Sequence, residues 1–266
     1  MTSKKALFFT ERGQGPALVL VHGLMVTGEM FEPVLDHFAA RYRVIVPDLR
    51  GHGRSRGLPP PYGAEQMALD LSELLDRLEV DAAAVLGYSH GGAVAQQFAL
   101  DHGRRCTQLV LACTYAFNLS SFRERLEGRV APLLIRALGM RRFANLVFSV
   151  GVEGSTKQRR DWLASLIAGQ NRDQMILAWK AAMAFDSRQR LGEIRCPTLV
   201  LAGERDTGVP LHHARMLHQG IDGAQLEIVT GGSHGLIWTH TDQFLGKVDG
   251  FFDNPERPTA DEARPR

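Results

Sequence analysis

A chain of 266 residues is the size of one large domain, or of a core carrying an insertion. Hydrophobic residues make up 44% and charged residues 23%, so the chain can bury a sizeable core without staples. A formal net charge of +2 gives no case for nucleic-acid binding, no run approaches the ~20 apolar residues of a membrane span, and three cysteines at unrelated spacings argue against a disulfide framework.

The N-terminal segment reaches Glu11 and Arg12 too soon to hold the apolar core of a signal peptide, about 7–15 residues long. Cys106 and Cys113 flank or sit in an apolar run and read as buried thiols, with Cys196 the third cysteine. A cytoplasmic protein is the expectation. Residues 6–10 read as an antiparallel edge strand or hairpin. Short β-branched runs follow at residues 17–21, 44–46, 83–86, 109–111, 198–201 and 226–229, as expected of strands covered by helices on both faces. Between them, residues 66–78 place Met67, Leu71, Leu74, Leu75 and Leu78 on one helical face, and residues 92–100 and 210–219 are further helices, the last opened by Pro210. This alternation predicts an α/β fold with a doubly wound, mostly parallel sheet.

The rhythm breaks between residues 116 and 193, where apolar residues recur at helical spacing, as in residues 130–138 and 162–168. This stretch is expected to be a helical cap inserted into a core formed by residues 1–115 and 194–252. The cap is basic, with thirteen Lys/Arg against seven Asp/Glu, or +6, while the rest of the chain carries −4. Residues 253–266, Pro-rich and charged, are expected to be a disordered tail.

The strongest local signal is Gly87-Tyr88-Ser89-His90-Gly91-Gly92, set between a strand and a helix. A G-x-S-x-G turn in that context projects the serine hydroxyl into a cleft and aims helix N-terminal N–H groups at a developing negative charge. Such a serine needs a base, and the base needs an orienting acid. Asp206 and His234 each follow a strand, so all three residues fall at the same sheet edge in the order Ser, Asp, His. Glu204 is the rival acid. Among the other histidines, His22 and His52 lie in Gly-flanked loops, and His212, His213 and His218 fall on an expected surface helix. His90 is expected to contribute its backbone N–H to an oxyanion hole, with Leu24, after the strand at 17–21, as the second donor.

The segments VHG, PDLRGHGRS, GYSHGG, LAGERD and GGSHG together resemble the α/β-hydrolase superfamily across residues 6–115 and 194–252. The resemblance implies an eight-stranded sheet and a catalytic site beneath the cap, with Ser89 as nucleophile, His234 as base and Asp206 as acid. His22 and the loop at residues 50–54 would then be structural. No cofactor or metal is expected, since no His/Asp/Glu cluster has a recognisable ligand spacing. Carboxylic ester hydrolysis leads, with lactone hydrolysis close behind. Relatives that cleave carbon–carbon bonds often carry Trp directly after the histidine, where this chain has Gly235 and Trp238 only further on. Acyl transfer or peracid formation would use the same three residues, and a ligand receptor on this fold is the non-enzymatic alternative. Phe117, Phe122, Phe143, Phe148, Trp162, Trp179, Met183 and Phe185 are the cap residues that could line an acyl pocket. The basic cap raises the further expectation of an acidic substrate or an acidic carrier protein as partner.

Overall fold

The computed structural model describes residues 6–151 and 155–254. Its seven strands are β1 (Phe9–Arg12), β2 (Ala17–Val21), β3 (Arg43–Pro47), β4 (Ala83–Tyr88), β5 (Cys106–Ala112), β6 (Thr198–Gly203) and β7 (Gln225–Val229). They form one sheet in the order β1-β3-β2-β4-β5-β6-β7, with β1 antiparallel to β3 and every other pair parallel. The helices are α1 (Glu32–Ala39), α2 (Ala64–Arg77), α3 (His90–Asp101), α4 (Phe122–Gly151), α5 (Lys157–Ala168), α6 (Arg172–Ala184), α7 (Leu211–Gly220), α8 (Leu236–Thr239) and α9 (Thr241–Asp253). α1 packs with α8 and α9, whereas α2 packs with α3, which also packs on the central strands β2, β4 and β5. Strands clad in this way are apolar throughout: β4 is buried at every residue, as is β6.

The strand order explains where a site can form. The connection from β2 leads to β3 on one side, and the next connection returns to β4 on the other. A crevice therefore opens beyond the carboxyl ends of β2 and β4, at the point where the winding reverses.

α4, α5 and α6 lie between β5 and β6 in sequence, where the helical insertion was expected. α4 is interrupted at Gly139, whose backbone (φ 72°, ψ 166°) leaves the helical region. All three helices start on side-chain caps: the Ser121 hydroxyl accepts from the N–H of Glu124, Thr156 from that of Arg159, and Asn171 from those of Asp173 and Gln174. The two ends of the insertion meet at its base. There Phe117 bridges Asp186, and Ser187 donates its N–H to Ala116 O (3.0 Å) and its hydroxyl to Gln96 Oε1 (2.8 Å).

Several expectations change. β1 runs over Phe9–Arg12, later than residues 6–10, because its pairing with β3 sets Phe9 opposite Pro47 and leaves Leu7 to bury ahead of the strand. The described residues hold seven strands where the resemblance implied eight; the residue patterns themselves had pointed to seven. Asp253 closes α9 rather than opening a tail, and the expected disorder from Pro255 onward lies outside the described residues.

Candidate active site

β4 ends in a tight turn into α3. Ser89 sits at φ 55°, ψ −124°, a strained conformation for a residue with a side chain, and directly caps α3. The turn is tight because α3 starts against the backbone of β2. A Cβ on Gly91 would lie 2.1 Å from Val21 O and 2.6 Å from His22 O, and one on Gly87 would lie 2.4 Å from Gly91 O. Glycine at both positions is therefore a condition of the close approach. The Ser89 N–H donates to Ala112 O of β5 (2.9 Å), which ties the strained residue to the sheet.

The loops after β6 and β7 bring the other two residues to this turn. His234 Nε2 lies 3.1 Å from Ser89 Oγ, and its Nδ1 lies 2.8 Å from Asp206 Oδ2. The other carboxylate oxygen of Asp206 accepts from the N–H groups of Gly208 (2.9 Å) and Val209 (2.8 Å). Both oxygens of this buried carboxylate thus act as acceptors, so Nδ1 of His234 carries the proton and Nε2 presents a lone pair to the serine hydroxyl. Burial alone would lower the His234 imidazole, but the charge and hydrogen bond of Asp206 outweigh it and leave the ring more basic than usual. The Tyr88 hydroxyl donates to the His234 carbonyl (2.5 Å) and holds the loop in place. Glu204, the rival acid, is engaged elsewhere: its Oε2 accepts from the N–H of Gly231 (2.8 Å) at the surface.

Leu24 and His90 both line the cavity that opens above Ser89. His90 is the first residue of α3, so its N–H is among those that no intrahelical acceptor can reach. The His90 imidazole turns away to Tyr115 (Nδ1 to the hydroxyl, 3.1 Å), and burial holds it down to about 4, so it stays neutral. His22 serves the loop, accepting the Leu49 N–H at Nε2 (2.8 Å) and donating from Nδ1 to Gly23 O (2.7 Å). Arg50 pairs with Asp70 (2.5 Å), as befits a structural loop.

The cavity has a volume of about 230 Å³. Its wall combines Met25, Val26, Met30 and Trp238 from the core with Phe143, Val147, Ile167, Trp179 and Met183 from the cap helices. No Lys, Arg, Asp or Glu is among the described residues that line it. Of the eight cap residues singled out, three reach it. Phe122 is exposed, Phe117 lies under the Arg188 guanidinium, Phe185 packs on Tyr115, Trp162 lines a separate surface groove, and the side chain of Phe148 lies outside the described residues. Val147, Ile167 and Asn118 were missed. Helical spacing marks a buried face without saying whether it meets a cavity or another helix.

His213, expected on a surface helix, is fully buried instead. Its Nε2 donates to Glu124 of α4 (2.8 Å), joining the helical insertion to the core. Burial opposes the charge on Glu124, but hydrogen bonds from Ser120, His213 and Ser121 overcome that and hold its carboxyl at about 2. Among the described residues, two groups bring three potential ligand atoms within 4.8 Å: Glu124 with His212 and His213, and Cys113 with Asp206 and His234. Hydrogen bonds already occupy both carboxylates, and neither group is assigned an ion. Cys106 and Cys196 place their sulfurs 3.7 Å apart, an unbridged contact.

A doubly wound sheet bearing a serine, an imidazole and a carboxylate in hydrogen-bonded succession beneath inserted helices is the arrangement of an α/β hydrolase. The chain belongs to that family: the family model described as alpha/beta hydrolase fold matches residues 16–241. Over 257 residues it is 33% identical to the magnesium-chelatase 30 kDa subunit of Rhodobacter capsulatus, covering 86% of this chain and 87% of that protein. It is 29% identical over 261 residues to the pimeloyl-[acyl-carrier protein] methyl ester esterase of Vibrio atlanticus, covering 92% and 97% of the two chains. Among solved structures, the enol-lactonase of Burkholderia xenovorans superimposes with a TM-score of 0.86 at 25% identity, over 93% of this chain and 96% of that one. No helix among the described residues is long and apolar enough to cross a membrane.

Proposed function

We propose that the protein hydrolyses neutral, apolar carboxylic esters through an acyl-enzyme on Ser89. The observation that carries this reading is the unbroken path from Asp206 through His234 to Ser89, which ends in an apolar cavity. In the first half-reaction His234 Nε2 takes the Ser89 proton as Oγ attacks the ester carbonyl. The carbonyl oxygen becomes an oxyanion facing the N–H groups of Leu24 and His90, while Asp206 stabilises the imidazolium. Collapse of the intermediate breaks the bond to the alkoxy oxygen, and His234 hands its proton to the departing alcohol. In the second half-reaction His234 activates water against the acyl-enzyme, and the acid leaves as Ser89 regains its proton. Each oxyanion donor contributes on the order of 3 kcal/mol to such a step.

The described residues that line the cavity include no Lys, Arg, Asp or Glu, which favours a neutral substrate over an anion held by the basic residues of the inserted helices. A lactone is the cyclic form of the same bond, and the likeness to an enol-lactonase supports it as a second substrate class. The test is a rapid-mixing assay with p-nitrophenyl esters of increasing acyl length. We expect a burst of one nitrophenolate per chain and steady turnover, with both lost in Ser89→Ala. Turnover by Ser89→Ala at a comparable rate would exclude the acyl-enzyme.

A further inference from the structure

α4 presents an anomaly on its outer side. In its first half, Glu124, Ala131 and Ile135 are buried, and the Gly128 carbonyl accepts from the Trp179 indole (3.1 Å), so this face turns inward. A helix at the surface of a water-soluble protein is normally polar opposite such a face. Here the opposite face carries Phe122, Leu126 and Leu133, which are 81%, 51% and 61% exposed. At 3.6 residues per turn, the three point within about 40° of one another. Along one flank of this stripe, within about 60° of Phe122, lie Arg125, Arg129 and Arg136, all exposed, and the stripe and this flank hold no acidic residue. Arg129 and Arg136 form no ion pair with a described residue. The ridge is about 16 Å long at 1.5 Å per residue. Three of the thirteen basic residues of 116–193 therefore stand beside apolar side chains.

We propose that this face of α4 docks on an anionic lipid bilayer, with Phe122, Leu126 and Leu133 entering the headgroup boundary and the three arginines meeting lipid phosphates. The alternation of projecting apolar tips with arginines matches a surface that is apolar just beneath a layer of negative charge. The apolar tips also project outward from a ridge. A bilayer takes such a ridge without a preformed groove, whereas a protein partner must supply one. Val147, in the part of α4 beyond its break at Gly139, is 39% exposed and lines the cavity over Ser89, so the docking ridge and the wall of the candidate active site belong to adjoining helical segments. This placement stands on the surface chemistry alone and does not depend on which bond the site cleaves.

The experiment is co-sedimentation of the full chain with vesicles of phosphatidylcholine alone or mixed equally with phosphatidylglycerol, at low and high salt. Three proteins are compared: wild type, Leu126→Asp with Leu133→Asp, and Arg129→Glu with Arg136→Glu. All four substituted positions are exposed and lie outside the cavity wall, so melting temperature and hydrolysis of a water-soluble ester should stay at wild-type levels. We expect wild type to bind the anionic vesicles at least about tenfold more tightly than the neutral ones, with the preference lost at high salt. Each double variant should lose about tenfold or more. Equal binding by all three proteins overturns the proposal. So does failure to sediment with either vesicle, whether the face then proves to pair two copies of the chain or to bind an acidic protein.

Discussion

Replacing Asp206 with Asn changes one atom in size but reverses the polarity of the site. In the native arrangement Oδ1 is held by the N–H groups of Gly208 and Val209, and Oδ2 accepts from His234 Nδ1. An asparagine must keep its oxygen toward the two backbone donors, which puts its NH2 opposite the imidazole. His234 can then meet it only with a bare Nδ1, so the proton moves to Nε2 and points at Ser89. The base is disabled without any loss of packing. A loss of about 10⁴-fold in kcat is expected, or about 5.5 kcal/mol of transition-state stabilisation. The assay is steady-state hydrolysis of a p-nitrophenyl ester across pH, with Glu204→Gln as the control. Wild-type kcat/KM should rise with a midpoint above the ordinary imidazole value of about 6.5, because His234 must lose its proton to act and Asp206 makes that harder. Glu204→Gln should stay within about threefold of wild type, since its carboxylate serves only a surface turn. The reasoning fails if Glu204→Gln is crippled while Asp206→Asn keeps its activity.

Gly91→Ala puts a methyl 2.1 Å from the Val21 carbonyl, part of a central strand that cannot yield. It should cost about 2–3 kcal/mol and lower the melting temperature by about 5–10 °C, and an unchanged melting curve would contradict the packing described for the turn. Tyr88→Phe strands the His234 carbonyl without its donor and should cost about 1–2 kcal/mol in chemical denaturation, with kcat falling as the loop loosens. Trp179→Ala removes cavity wall and should move the preferred acyl chain toward greater length, while an unchanged optimum would place the acyl group elsewhere.

The core was legible because strands clad on both faces write themselves as short β-branched runs, and six of those runs coincide with β2 to β7. The meeting of Ser89, Asp206 and His234 at one sheet edge was legible for a related reason. Ser89 follows β4 directly, Asp206 and His234 lie in the loops after β6 and β7, and parallel strands deliver their carboxyl ends to one edge. The antiparallel β1 was harder to place, since its exposed residues carry no burial pattern and its pairing with β3 alone sets its start. α1 and α9 left no signal as strong as the long apolar face of α2. His213 shows the other limit. Its burial depends on Glu124, 89 residues away, and no local pattern announces such a partner. The cavity wall is assembled in the same way, from Met30, Trp238 and three cap helices whose shared face exists only once they are packed.

The central claim, that Ser89 is the nucleophile, is tested most directly by labelling the native protein with a fluorophosphonate and mapping the adduct by peptide mass spectrometry. We expect one adduct per chain, on Ser89, at a rate that follows deprotonation of His234 and falls by orders of magnitude in Asp206→Asn. An adduct on another residue, or none in a protein that turns over esters, would contradict the assignment.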